Sequence, residues 1–115
     1  MSATARVPAV DPDEASQRAE TGAILLDIRE PDEWDSGHAP AAVWIPMGDL
    51  PARQDELTRD RPVVVVCRSG ARSARVTTAL RQAGYDAANL AGGMQAWAAA
   101  GHDVVTDGGE PGTVA

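Results

Sequence analysis

The sequence has a single cysteine, Cys67, and its neighbours are of the types that activate a thiol. Four valines, Val63–Val66, precede it, and Arg68, Gly70 and Arg72 follow within five positions. Glycine permits unusual backbone angles, so a short loop of this kind can turn successive N–H groups inward and form an anion-binding nest. A helix that begins after the loop adds the positive end of its dipole. The pattern therefore predicts a nucleophilic thiolate with a lowered pKa at Cys67.

A packing role is the alternative for a lone cysteine. Unpaired cysteines at strand ends are usually small buried hydrophobic residues without a chemical role. Packing alone does not explain two arginines and a glycine directly after an apolar strand. We therefore favour the chemical interpretation, in which Cys67 is the catalytic residue. Its anion-binding loop would consist of Arg68, Ser69, Gly70, Ala71 and Arg72.

The elements that would position this loop alternate in type along the chain. Strands are predicted at the short apolar runs 23–26, 43–45, 63–66 and 87–90. Helices are predicted directly after Asp11 and at 31–34, 50–57, 72–83 and 94–100. This alternation is typical of an α/β domain with a mainly parallel sheet. Such sheets bind their ligands beyond the carboxyl ends of the strands, which is where Cys67 would lie.

Composition limits the classes to which the protein can belong. Its 115 residues fit one domain, predicted over 1–106, followed by a flexible polar tail over 107–115. One cysteine cannot form an internal disulfide or a thiolate metal cluster, and we expect neither a metal nor a cofactor. No apolar run reaches the length of a membrane span, and the first residues lack the apolar stretch of a secretory signal. We therefore expect a cytoplasmic protein.

The net charge of the protein limits the kinds of partner that it can bind. The net charge is −7 and all ten cationic side chains are arginines. An acidic domain repels nucleic acids and anionic membranes at long range, so we expect it to bind neither. Any anion that it binds must be held by a local arrangement such as the loop after Cys67.

Four stretches of the sequence resemble, in the same order, the motifs of single-domain rhodanese sulfurtransferases. They are LLDIREPDEW at 25–34, GHAPAA at 37–42, CRSGARS at 67–73 and LAGGMQAW at 90–97. One departure is Ala41, which stands where the family motif has a glycine. The resemblance extends over about 10–105, which is nearly the whole of the predicted domain.

The resemblance implies a rhodanese-like three-layer α/β/α fold with a central five-stranded, mainly parallel sheet. It also implies a sulfurtransferase that moves sulfane sulfur from a donor such as thiosulfate to an acceptor such as cyanide or a thiol. Cys67 would carry the sulfur as a persulfide, a case of covalent catalysis. The implied partners are small sulfur donors and acceptors, together with proteins that give or accept sulfur.

Several other residues receive roles from the resemblance. Asp27 is expected to support the site by orienting Arg72 or the loop amides, and Ser73 is also given a supporting role. The histidine of the second motif, His38, is expected to brace a loop rather than act as a general base. Arg29 and Glu30 are expected to form structural ion pairs.

Three alternatives stay open beside this interpretation. A phosphatase would need a cysteine-to-arginine loop one residue longer than 67–72, and is disfavoured. A persulfide carrier or sulfide-sensing module that acts on a protein partner would use the same loop as the enzyme. An inactive interaction domain is disfavoured because Cys67 and both loop arginines are present. Within the sulfurtransferase reading, the acidic residues Asp32 and Glu33 argue against tight binding of the thiosulfate dianion.

Overall fold

The structure, a computed structural model, describes residues 7–115 as five strands and five α-helices. In chain order the strands are β1 (Ala9–Val10), β2 (Ile24–Asp27), β3 (Val43–Trp44), β4 (Val63–Val66) and β5 (Ala87–Leu90). The helices are α1 (Pro12–Glu20), α2 (Pro31–Ser36), α3 (Leu50–Arg53), α4 (Ala71–Gln82) and α5 (Gly93–Ala99). Two 3₁₀ turns, Met47–Asp49 and Gln54–Glu56, flank α3.

The five strands form one sheet in the order β1-β5-β4-β2-β3, and every neighbouring pair is parallel. Strand β4 is therefore central, with β2 on one side and β5 on the other. All four of its valines are buried, as expected for a parallel strand covered on both faces. Cys67 directly follows β4, so it lies at the carboxyl edge of the sheet in the middle strand.

Alternate residues of the strands belong to two apolar layers on opposite faces of the sheet. In β4, Val63 and Val65 pack with α3, α4 and Tyr85, whereas Val64 and Val66 pack with α1 and α5. Cys67 continues the alternation and belongs to the layer that contains α4. The three-layer α/β/α architecture expected from the resemblance is thereby confirmed.

The predicted elements agree with the structure to within one or two residues, apart from two. Strand β1 is absent from the prediction, because two residues are too few to show a pattern. The helix predicted at 50–57 is a four-residue α-helix followed by a 3₁₀ turn and an extended Leu57. The start of α1 is as predicted: Asp11 Oδ1 accepts a hydrogen bond from the Glu14 backbone N–H.

The segment 107–115, predicted as a flexible tail, makes specific contacts with the domain in this structure. The Gly112 N–H donates to the Val104 carbonyl over 2.8 Å, and the Thr113 N–H donates to the Ser36 carbonyl over 2.9 Å. Val114 packs against the layer of α1 and α5. Packing therefore continues beyond 106, the residue at which the domain was predicted to end. These partners are backbone groups and apolar side chains, which the glycine-rich composition of the segment does not reveal.

Candidate active site

The loop between β4 and α4 wraps the sulfur of Cys67 with hydrogen-bond donors. The Gly70 N–H lies 3.0 Å from Cys67 Sγ, and the Ser73 N–H lies 3.4 Å from it. The Ser73 hydroxyl also donates to Sγ, over 3.2 Å. Gly70 has a φ of +102°, in the left-handed region that glycine adopts without strain. The structure therefore contains the anion nest that the sequence predicts, and it places Ser73 directly on the sulfur.

Two opposing effects act on the ionisation of Cys67. Burial disfavours the thiolate, and the residue is only 1% exposed. Hydrogen bonds from the Ser73 hydroxyl and from the backbone N–H groups of Ser73, Gly70 and Ser69 favour it. The hydrogen bonds outweigh burial, so the pKa of the Cys67 thiol lies below its ordinary value. The surroundings of Cys67 therefore favour its thiolate more than water does.

Asn89, which the sequence analysis did not select, completes the hydrogen bonding around Ser73. Its Nδ2 donates to the Gly70 carbonyl over 3.2 Å, and its Oδ1 accepts a hydrogen bond from the Ser73 hydroxyl. Asn89 thus connects the loop to the side chain that faces the sulfur. A signal was present in the sequence, because a polar residue near the carboxyl end of the strand beside β4 lies at the ligand-binding edge.

Arg72 does not pair with Asp27, the carboxylate that was expected to orient it. Both terminal nitrogens of Arg72 donate to the carboxylate of Glu33, each over 2.8 Å. The Nε of Arg68 donates to the carbonyl of Ala115. The expectation that Asp27 orients Arg72 or the loop amides is therefore wrong, because every hydrogen bond found for its carboxylate comes from Arg29. It was based on neighbouring strand ends, whereas Glu33 reaches Arg72 from α2.

Asp27 instead forms a buried ion pair with Arg29, and both side chains are completely buried. The carboxylate accepts hydrogen bonds from the Arg29 backbone N–H, Nε and Nη2. Nη2 also donates to the Gly37 carbonyl over 2.7 Å. The structural ion pair expected of Arg29 is confirmed, whereas Glu30 forms none within residues 7–115. The effect of the Arg29 pair is to fix the turn after β2 relative to the segment that carries His38.

His38 lies in a stack of aromatic rings rather than at the sulfur. Its ring is 3.5 Å from that of Trp34, which is stacked in turn on Trp44. The Nε2 atom of His38 lies 2.9 Å from Asp107 Oδ1, and Trp34 Nε1 donates to the same oxygen. These contacts tie the second motif to the C-terminal segment. They agree with the bracing role expected for His38.

The N-terminus of α5 supports the loop from the other side. The N–H groups of Met94 and Gln95 donate to the carbonyls of Cys67 and Arg68 over 2.8 and 3.0 Å. Gly93 makes this approach possible, since a Cβ atom there would lie 2.6 Å from the Arg68 carbonyl carbon. The motif at 90–97 therefore positions the backbone of the nucleophile.

Replacement of Ser73 by alanine should raise the pKa of Cys67, because the thiolate loses its side-chain donor while burial is unchanged. The rate of alkylation by iodoacetamide, measured against pH, should show a midpoint at higher pH than in the wild type. Ser69→Ala is the matched control, since the Ser69 residue is exposed and its backbone N–H is retained. An unchanged midpoint in Ser73→Ala would show that the hydroxyl does not stabilise the thiolate.

Two further findings concern the described part of the chain. Within residues 7–115, no group of three or more histidine, cysteine or acidic side chains is arranged to hold a metal ion. None of the helices in that range has the length and apolar character needed to cross a membrane.

Comparison with known proteins places this site in a family. The model of the rhodanese-like domain matches residues 11–100. A protein of Allochromatium vinosum named sulfurtransferase is 45% identical over 103 residues, which cover 87% of this chain and 96% of the relative. A rhodanese-related protein of Thermoplasma volcanium superimposes with a TM-score of 0.81 at 29% identity, over 87% of this chain and 99% of that one.

A thiosulfate sulfurtransferase of Pseudomonas aeruginosa superimposes with a TM-score of 0.78 at 27% identity, over 95% of this chain and 22% of that longer chain. The family match covers most of the sequence and includes every motif described above. The matched residues contain β2 to β5 and the loop around Cys67. The chain belongs to the rhodanese-like domain family.

Proposed function

We propose that the protein is a sulfurtransferase that carries sulfane sulfur as a persulfide on Cys67. The observation that supports this most directly is the set of donors converging on one sulfur atom: the Gly70 N–H, the Ser73 N–H and the Ser73 hydroxyl. Such an arrangement stabilises negative sulfur in the thiolate and, after sulfur transfer, in the persulfide anion. The relative from Allochromatium vinosum, named a sulfurtransferase, supports the same reaction class.

The reaction has two steps. In the first, the Cys67 thiolate attacks the outer sulfur of the donor, and the bond between the two donor sulfurs breaks. With thiosulfate the leaving group is sulfite, which takes the electron pair, and Cys67 becomes a persulfide anion. In the second step, cyanide or a thiolate attacks the outer sulfur of that persulfide, and the Cys67 thiolate leaves. Charge and atoms balance in each step, and the kinetics are of the ping-pong type.

The acceptor must come from outside the chain. Cys67 is the only cysteine, so no second thiol can resolve its persulfide into an internal disulfide. The inner sulfur is covered by the loop, which directs the acceptor to the outer sulfur. We propose that the protein acts in the cytoplasm, where free thiols are kept reduced.

Phosphate chemistry is less well supported by the same loop. A cysteine-to-arginine phosphatase loop uses its guanidinium to hold phosphate oxygens, but both terminal nitrogens of Arg72 are bonded to Glu33. The donors of the loop lie within hydrogen-bonding distance of the sulfur itself. The loop therefore fits a single sulfur atom better than a phosphate group.

The direct test is the intact mass of the protein after incubation with thiosulfate or with a small-molecule persulfide. We expect the gain of one sulfur atom, reversed by cyanide with release of thiocyanate. Cys67→Ser should neither gain this mass nor turn over above background, and Ser69→Ala should behave as the wild type. A Cys67→Ser variant that retains transferase activity would refute the proposal. If the persulfide forms readily but passes to no small acceptor, the protein is a sulfur carrier rather than an enzyme.

A further inference from the structure

The charge at the entrance to the site is not the positive charge that the sequence of the loop suggests. Arg72 lies in the first turn of α4, directly after the loop, and its side chain is 33% exposed. Glu33 is only 14% exposed and meets it with both carboxylate oxygens. A bidentate pair of this kind leaves no net charge, and it occupies the face of the guanidinium that binds oxyanions.

Glu33 is held in place by a second contact as well. Its Oε1 accepts a hydrogen bond from the Glu30 N–H in the capping box that begins α2. The Arg72 hydrogen bonds hold the pKa of Glu33 below its usual range, so the carboxylate is charged at neutral pH. The pKa of Arg72 is raised chiefly by Glu33, and the nearby Cys67 charge contributes to the increase. Glu33 therefore neutralises the arginine whose pKa the Cys67 charge affects, and this arginine offers no net positive charge to an incoming anion.

The other loop arginine does not compensate for this arrangement. Arg68 is exposed, and its Nε donates to the Ala115 carbonyl. An exposed guanidinium acts on an incoming anion through solvent and salt, so its attraction is weak. The acidic residues Glu30, Asp32 and Asp35 also belong to α2 or its cap, on the same element as Glu33.

We propose that Glu33 is a specificity-determining residue, which selects sulfur donors of one negative charge or none over dianionic donors. This inference rests on the sulfurtransferase function proposed above and refines its donor class. The favoured donor would carry its sulfane sulfur on an organic group, as in a persulfide of a thiol. Thiosulfate, whose sulfonate brings a second negative charge to the entrance, would react by the same chemistry but bind weakly.

The variant Glu33→Gln removes the charge of this side chain and keeps its size. Glutamine is accepted at the third position of a capping box, so the start of α2 can be retained. The substitution removes the carboxylate charge of Glu33, so the Arg72 guanidinium is no longer neutralised and can attract a donor anion. Glu56→Gln is the matched control, because it removes the same charge from an exposed pair with Arg53 that lies before β4.

Two donors of similar size and different charge provide the readout. Thiosulfate is a dianion, and methanethiosulfonate has a methyl group in place of one charged oxygen. In a ping-pong reaction, kcat/KM for the donor reports the first half-reaction alone, measured here with cyanide as the common acceptor. In Glu33→Gln we expect kcat/KM to rise about tenfold for thiosulfate and about threefold for methanethiosulfonate, because the attraction of the uncompensated Arg72 charge scales with donor charge. The gain should arise mainly in KM, diminish with added salt and be absent in Glu56→Gln.

Two results would show that Glu33 does not select the sulfur donor. No gain for thiosulfate, or the same gain for both donors, would overturn the role of Glu33. If Glu33→Gln does not fold, the test uses the wild-type protein. The ratio of kcat/KM for thiosulfate to kcat/KM for methanethiosulfonate is then measured at several salt concentrations. A preference for thiosulfate at low salt would then refute the inference, and a preference for the monoanion that shrinks with salt would support it. Failure of the proposed function looks different, because wild-type protein would then form no Cys67 persulfide with either donor.

Discussion

Replacement of Asp27 by asparagine is expected to lower the free energy of unfolding by about 3–5 kcal/mol. The Arg29 guanidinium is completely buried, and the carboxylate of Asp27 is its charged partner. Asparagine has nearly the same volume but no charge, and its amide nitrogen is a donor that faces another donor. The variant therefore leaves a buried, uncompensated charge, which is the costly way to break such a pair. Urea denaturation followed by circular dichroism measures the loss directly.

The matched control for Asp27→Asn is Glu14→Gln, which removes one charge from the exposed pair with Arg18 on α1. Exposed pairs four residues apart on a helix contribute little, so this variant should lose no more than about 0.5 kcal/mol. Comparable losses in the two variants would show that the Asp27–Arg29 pair does not stabilise the domain. If Asp27→Asn does not accumulate as folded protein, the conservative variant Asp27→Glu tests whether the charge at this position restores it.

Replacement of Gly93 by alanine is expected to remove most of the activity and to destabilise the domain. Gly93 has a φ of +59°, and an added Cβ would lie 2.6 Å from the carbonyl carbon of Arg68. These are backbone atoms, so α5 or the loop must move. Either movement weakens the hydrogen bonds from Met94 and Gln95 that position the carbonyls of Cys67 and Arg68. Persulfide formation should slow at least about tenfold, as expected when a reacting group is displaced from its oriented position.

Gly101→Ala isolates the contribution of backbone strain in this experiment. Gly101 also has a positive φ, +86°, but an added Cβ would have no atom within 4 Å. Left-handed backbone should cost this variant about 1–2 kcal/mol of stability, with no effect on the rate of sulfur transfer. Equal losses of activity in the two variants would contradict the view that Gly93 acts through its close approach to the loop.

The parts of this structure that could be predicted from sequence are those encoded by residues close together in the chain. The buried strand Val63–Val66, the glycine at position 70 and the helix that follows form one continuous stretch, and the prediction of the loop needed nothing else. The capping of α1 by Asp11 is local in the same way. Propensity and hydrogen bonding within a few residues determine such features.

The residues that were missed, or given the wrong partner, depend on contacts between distant parts of the chain. Glu33 and Arg72 are 39 positions apart, and Ser73 and Asn89 are 16 apart. Asp107, which hydrogen-bonds to His38 and Trp34, lies in the segment that was predicted to be a flexible tail. Asp27 was the expected partner of Arg72, and only the fold, which brings Glu33 of α2 to Arg72 of α4, identifies the actual one.

The burial of Cys67 affects how readily its sulfur can be oxidised. A thiolate with a lowered pKa is the form of cysteine that peroxides convert to sulfenic acid and then irreversibly to the higher oxyacids. Cys67 is only 1% exposed, and loop donors already occupy the surroundings of its sulfur. Little sulfur surface is left for an oxidant to reach while the site is at rest. The loop that lowers the pKa of Cys67 therefore also limits the oxidative damage to which a thiolate is prone.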